Sequence, residues 1–189
     1  MKYYHVSSLV QSGQILRKNT KQNYCYCEFI SNCDVSSYEK FLIIRQQLSS
    51  LNIFNITGRT VNKWSCEAVF ENIRSNCYPN KPSRVWSVYL SETFEEALTF
   101  YTHERRPHDT QERVSHIFEI DISDNEKVSV FDMTLFEEAE QSLYVEEIAP
   151  STYDQICEKA HMYWNNIKTP KNKLEYLVDC EITIGKQLI

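Results

Sequence analysis

Glycine is nearly missing from this chain: there are 3 in 189 residues, at Gly13, Gly58 and Gly185, against roughly 7% in average proteins. A G-x-G-x-x-G turn or a Walker loop needs clustered glycines so that backbone amides can come close to phosphate. A Rossmann dinucleotide site and a P-loop are therefore excluded. Basic excess is lacking too, since 26 acidic residues outweigh 20 Lys and Arg for a net charge of −6. That balance disfavours a protein that coats nucleic acid, although it leaves room for a local basic rim. No apolar run approaches the ~18 residues of a membrane span. The opening MKYYHVSSLV has neither the apolar core nor the small-residue cleavage site of a secretory signal. Repeats and low-complexity tracts are absent as well.

What is present is an ordinary globular composition, 42% hydrophobic, 13% aromatic and 24% charged. At this length one domain spanning residues 1–189 can bury a core without staples. The seven cysteines, Cys25, Cys27, Cys33, Cys66, Cys77, Cys157 and Cys180, are odd in number and irregular in spacing. They read as free thiols in a reducing compartment, which predicts a cytoplasmic protein. Cys25-x-Cys27 with Cys33 suggests a metal cluster only loosely, because structural zinc sites usually pair C-x₂₋₄-C with a second such pair. No metal is expected.

The pattern along the chain predicts helices and strands without strict alternation. Tyr3 to Ser7 reads as a strand, and residues 19–35 as an irregular loop. Ser36-x-x-Glu39 is a capping box opening a helix with Phe41, Ile44, Leu48 and Leu51 on one face. Further helices are expected from about Ser65 to Asn76, from Thr93-x-x-Glu96 with Phe94, Ala97, Leu98 and Tyr101 inward, and from Ser151-x-x-Asp154 with Tyr153, Ile156, Cys157, Ala160 and Trp164 inward. Strands are expected at Val85–Leu90, around Phe118, Ile120 and Ile122, and at Val128–Phe131. Asn165 to Lys173 reads as an exposed loop. The last strand is the most regular: Leu174, Tyr176, Val178, Cys180, Ile182 and Ile184 alternate with a polar set headed by Glu175. These elements predict an α+β fold with a split, mostly antiparallel sheet and flanking helices.

Three pieces combine chemistry with position. Tyr4-His5-Val6-Ser7-Ser8 places a histidine in the first strand. Val88-Tyr89-Leu90-Ser91 ends a strand that feeds the capped helix containing Tyr101. Lys173-Leu174-Glu175-Tyr176-Leu177-Val178 begins the last strand with a carboxylate on the side opposite its apolar set. Taken singly, each has a plain reading: a hydrogen-bonded histidine, a core tyrosine, a solvated glutamate. In this order they resemble the ADP-ribosyltransferase superfamily in its histidine–tyrosine–glutamate branch, which includes diphtheria toxin and the poly(ADP-ribose) polymerases. The resemblance runs over nearly the whole chain. It is closer still to the small bacterial transferases that act as toxins in toxin–antitoxin and phage-defence loci.

That resemblance implies a split-sheet fold that takes NAD as substrate without glycine-rich loops. It implies catalytic roles for His5, Tyr89 and Glu175. His5 would bond a ribose hydroxyl with Ser7 on the same side, and backbone groups around Val6 would hold the nicotinamide amide. Tyr89 would stack on the nicotinamide ring with Tyr101 as a second wall. Glu175 would bond the 2′-hydroxyl of the nicotinamide ribose and stabilise positive charge as nicotinamide leaves. Arg17 and Lys18 could approach the phosphates. Where arginine-specific relatives carry a second glutamate, this chain has Lys173. With Lys168 and Lys171 it makes a basic acceptor loop, which favours a nucleic-acid acceptor, RNA or DNA, over protein. His103, Arg105, Arg106 and His108 read as a solvated loop or a second acceptor patch. The expected partners are NAD, that acceptor and an inhibitory antitoxin-like protein, with no membrane. The other readings are the same activity on a protein, an inactive binding module on this fold, and a hydrolase or nuclease using histidine and carboxylates.

Overall fold

The computed structural model describes residues 1–17, 24–50, 58–105, 115–122 and 128–189, without the side chains of 24–26, 59 and 103–105. Lys18, Leu51, Pro107, residues 19–23 of the expected loop, and the side chains of Cys25, His103, Arg105, Arg106 and His108 lie outside the described residues. The chain forms two compact units. One combines Met1–Tyr24, Trp86–Val130 and Glu175–Ile189 and carries most of the strands; the other combines Cys25–Val85 and Phe131–Leu174 and is helical. The class is α+β with small antiparallel sheets.

In the strand-bearing unit, β1 (Lys2–Ser7) pairs antiparallel with β4 (His116–Asp121), from Lys2 opposite Asp121 to Ser7 opposite His116. β3 (Val88–Leu90) pairs antiparallel with β6 (Leu174–Val178), and β5 (Val128–Asp132) lies along the far side of β6. These two pieces of sheet meet at one bridge, where Tyr4 and Ser91 exchange N–H···O bonds of 2.9 and 2.8 Å. The core holds Phe118, Ile120 and Ile122 with Tyr176, Val178, Ile182 and Ile184, the apolar sets that alternation predicts. On the other face of β1 and β4, Tyr4, Val6 and Ile117 pack against Ala97 and Tyr101 of α4 (Phe94–Arg105). The capping box of α4 forms as expected: the Glu96 N–H donates to Thr93 Oγ1, and the Thr93 N–H donates back to Glu96 Oε2, each at 3.2 Å.

The last strand departs from its pattern. It breaks after Val178, and β7 (Ile182–Thr183) leaves to pair with β2 (Ile15–Leu16). Asp179 and Glu181 are exposed at the break. The polar face of β6 is also not a solvent face, since Glu175 and Leu177 are both buried. Two glycines have positional causes. Gly13 takes φ +83°, which side chains rarely adopt, in the turn that leads into β2. Gly185 packs against β4 so closely that a Cβ would lie 2.3 Å from the Glu119 carbonyl oxygen.

In the helical unit, α1 (Tyr24–Ser31) occupies part of the expected irregular loop and buries Cys27 and Ile30. Burial on tertiary neighbours overrides its weak local pattern. α2 (Tyr38–Ser50) is capped one residue later than the motif predicts, with the Lys40 N–H donating to Ser37 Oγ at 3.4 Å. α3 (Gly58–Cys77) starts earlier than expected and is buried continuously from Ser65 to Glu71. Its buried acids are matched: Arg84 forks onto Glu67 with two bonds of 3.1 Å, and Arg74 onto Glu71 at 2.8 and 2.9 Å. α5 (Met133–Gln141), absent from the sequence prediction, is capped by Asp132 and buries Leu135, Phe136 and Ala139. α6 (Pro150–Trp164) begins at Pro150 after Ala149, without a side-chain cap from Ser151. A proline at the first helical position has a pre-set φ and lacks only an N–H that would be unsatisfied anyway.

Candidate active site

The site begins where β1 and β3 separate. Tyr4 uses both its N–H and its C=O on Ser91. Neighbouring residues of a strand aim their backbone groups to opposite edges, so His5 bonds toward β4 while Val6 turns its amide and carbonyl to the β3 side, like Tyr4. Toward the other end of β3 from that bridge, the next contact is a side chain instead of a ladder bond: His5 Nδ1 lies 2.9 Å from the Tyr89 carbonyl oxygen. A carbonyl can only accept, so Nδ1 carries the hydrogen. In the neutral imidazole this makes Nε2 the acceptor nitrogen.

His5 and Tyr89 are walls of a cleft of about 160 Å³, with Ser7 and Arg17 beside them and an apolar lining that includes Leu9, Val10, Leu16 and Val88. The structure thus brings four of the expected residues together. Ser7 Oγ is engaged locally, accepting from the Leu9 N–H at 3.2 Å. Arg17 Nε forms an exposed ion pair with Glu181 at 3.0 Å. Pairs of that kind contribute at most about 1 kcal/mol. Tyr89 is 37% exposed, which leaves much of its ring on the surface.

Glu175 sits elsewhere in the same unit. It is 4% exposed on β6, on the face it shares with Leu177, whose antiparallel partner is Tyr89. Diagonal neighbours of this type are roughly 7–8 Å apart. Glu175 is not among the cleft's walls. Carboxylates are rarely this buried. Tyr101 is not brought to the cleft. Its ring is buried in the α4 cluster with Ile117, and the Val6 side chain packs there too, which leaves only the backbone of Val6 for a ligand.

The loop Asn165–Lys173 belongs to the helical unit and is tied down at its base. The buried Asp132 accepts from the Thr169 N–H at 2.6 Å and the Thr169 hydroxyl at 2.7 Å. The Met133 N–H donates to the Lys173 carbonyl at 2.7 Å. Burial alone would raise the Asp132 carboxyl, but the bonds from Thr169 and Thr134 outweigh it and hold its pKa below the usual value. Lys168, Lys171 and Lys173 are all exposed, and Lys173 also forms a surface ion pair with Glu137. Loop backbone that the sequence leaves unstructured is therefore anchored to the start of α5.

Two of the described thiols are held in the protonated form. Cys33 donates to the Phe29 carbonyl and burial pushes it up to about 11; burial drives Cys66 well above its usual value. Both shifts disfavour the thiolate that nucleophilic or metal chemistry requires.

A family model described as "Protein of unknown function (DUF2441)" matches residues 3–188. The chain belongs to that family. No curated protein matches it. In this DUF2441 member, the sequence reading missed two polar residues of the cleft, Gln14 and Ser87. Gln14 had a usable signal, since it follows Gly13 in a short turn. Ser87 had none, because its place at the cleft depends on β3 starting at Val88 and not at Val85.

Proposed function

We propose that this protein is an ADP-ribosyltransferase that cleaves NAD and transfers ADP-ribose to a macromolecule. The observation that carries the reading is the His5–Tyr89 hydrogen bond at the division of the sheet, in a cleft that also holds Ser7 and Arg17. The DUF2441 match names no activity, so the reading rests on this geometry and on the motif order His5, Tyr89, Glu175.

Each residue then has a stated task. With Nδ1–H committed to Tyr89, His5 Nε2 accepts a hydrogen bond from a ribose hydroxyl. The Val6 amide and carbonyl match the acceptor and donor of the nicotinamide carboxamide. The exposed Tyr89 ring offers an aromatic face to the cationic pyridinium. Arg17 leaves Glu181 for the pyrophosphate. Glu175 bonds the 2′-hydroxyl and stabilises the cationic ribose. The C1′–N bond breaks, neutral nicotinamide leaves with the bonding pair, the acceptor's oxygen or nitrogen bonds C1′, and the acceptor releases its proton. A single group stabilising charge in this way is worth about 2.7–4 kcal/mol.

The acceptor is RNA or DNA in preference to protein, on the strength of Lys168 and Lys171 exposed in the loop that precedes Glu175. The protein acts in the cytoplasm as a toxin or phage-defence factor restrained by an inhibitory protein. Incubation with NAD labelled in its adenylate, together with separate pools of RNA, DNA and protein, tests the reading. Label in a nucleic-acid pool is expected; label in protein alone overturns the acceptor, and no label in any pool overturns the activity. A second reading, an NAD-binding module without catalysis, is favoured by the absence of Glu175 from the cleft's walls. Saturable NAD binding without nicotinamide release would select it.

A further inference from the structure

A second cleft, open and about 420 Å³ in volume, lies in the helical unit between α2, the start of α3 and the segment after α5. Its walls include Arg45, Asn62, Leu143, Tyr144, Val145 and Glu146. Arg45 is half-buried there, and among the described residues it has no ion-pair partner. In sequence, residues 51–57 between α2 and α3 (Leu-Asn-Ile-Phe-Asn-Ile-Thr) contain no acidic residue. Burial alone pushes the Arg45 guanidinium below its usual pKa, with no carboxylate acting to raise it.

The guanidinium is nevertheless held in place. Arg45 Nη2 donates to Asn62 Oδ1 at 2.5 Å and Nη1 to Ser65 Oγ at 3.4 Å. Both acceptors are buried and themselves oriented. Asn62 Nδ2 donates to the Leu143 carbonyl at 3.3 Å, and the Ser65 hydroxyl donates to the Val61 carbonyl at 2.7 Å. Two neutral oxygens thus position a cation without neutralising it. They use two of the five N–H donors of an arginine. The apolar side of the cleft is equally open, with Tyr144 48% and Val145 50% exposed.

We infer that this cleft is a binding site for a carboxylate carried next to an apolar or aromatic group, with Arg45 taking the carboxylate and the exposed Tyr144 and Val145 taking the apolar part. A planar carboxylate matches the remaining fork of the guanidinium. Glu146 on the wall and the net charge of −6 oppose a polyanion, so a single carboxylate fits better than a nucleic-acid backbone. The same chemistry is offered by a free carboxylic acid and by the C-terminal end of a peptide with an apolar last residue. The inference is independent of NAD chemistry.

NMR titration of the full chain tests it, following the Arg45 Nε–H and the amides of Tyr144 and Val145. The probes are indole-3-acetate for a free acid, acetyl-Ala-Leu for a peptide end, and the primary amide of each as control. Both acids, or one of them, are expected to shift these resonances saturably while the amides do not. A response to indole-3-acetate alone identifies a small-molecule site, and a response to acetyl-Ala-Leu alone identifies a peptide site. Arg45→Gln is expected to weaken the response about tenfold or more. Silence with both acids, or equal shifts by acid and amide on the native protein, overturns the inference even if the variant does not fold. A well-folded Arg45→Gln that binds as before overturns it too.

Discussion

Single residues carry the sharpest claims about this protein. His5 is fixed as the Nδ1–H form because its partner, the Tyr89 carbonyl, can only accept. The sequence shows a histidine in a strand next to Tyr3 and Ser7, but not which nitrogen faces a ligand. Glu175 was legible as a carboxylate opposite an apolar face. Its burial was not, because alternation along one strand does not reveal whether the second face is covered as well. Gly185 was visible as one of three glycines, yet only the 2.3 Å approach of a built Cβ to the Glu119 oxygen explains it. Gly185→Ala forces a backbone shift between the C-terminal segment and β4. It is expected to lower stability by about 1–3 kcal/mol, read as a lower urea midpoint with an unchanged m-value.

At the scale of elements, capping and burial account for what sequence patterns could and could not show. Thr93-x-x-Glu96 forms the box its spacing predicts, because both side chains are exposed and compete with nothing stronger. Ser36-x-x-Glu39 and Ser151-x-x-Asp154 do not cap their helices, because Ser37 and Pro150 sit at better positions one residue away. α5 escaped notice although Asp132, Leu135, Phe136 and Ala139 have helical spacing, since a strand ending at Phe131 leaves no turn residues to mark the change. Asp132 joins these levels, capping α5 and holding the loop at Thr169. Its carboxyl is depressed in the folded state, so its stabilisation is complete above the unfolded value of about 4 and fades as pH falls through the lower folded value. Asp132→Asn can still cap α5 but replaces one accepting oxygen by a donor facing Thr169, so it is expected to lose about 1–3 kcal/mol at pH 7 and less at pH 3, below the unfolded value. Urea melts at the two pH values measure this; an equal loss at both would show that charge plays no part.

Across the whole molecule, fold class was legible and the division of labour was not. Alternating and helical periods predict α+β. The separation into a strand-bearing unit with the cleft and a helical unit with buried ion pairs depends on contacts between residues far apart in sequence. The helical unit relies on Arg84, whose guanidinium forks onto buried Glu67, donates to the Tyr163 hydroxyl at 3.1 Å and lies 3.9 Å from the centre of the Phe136 ring. Arg84→Met strands Glu67 and is expected to destabilise by about 3–5 kcal/mol, while adding Glu67→Leu recovers much of that loss. A double-mutant thermal melt reads both values, and additive losses would contradict the pairing. The scarcity of glycine fits this division, since the proposed NAD cleft is built from a histidine side chain and strand-edge backbone instead of a phosphate-cradling loop. The most direct test of the account is nicotinamide release from NAD by the native protein and by Glu175→Gln, with circular dichroism of both. The account predicts turnover by the native protein and a rate about 10²–10³ lower in a folded Glu175→Gln. No release by the native protein, or the native rate from the variant, would contradict it.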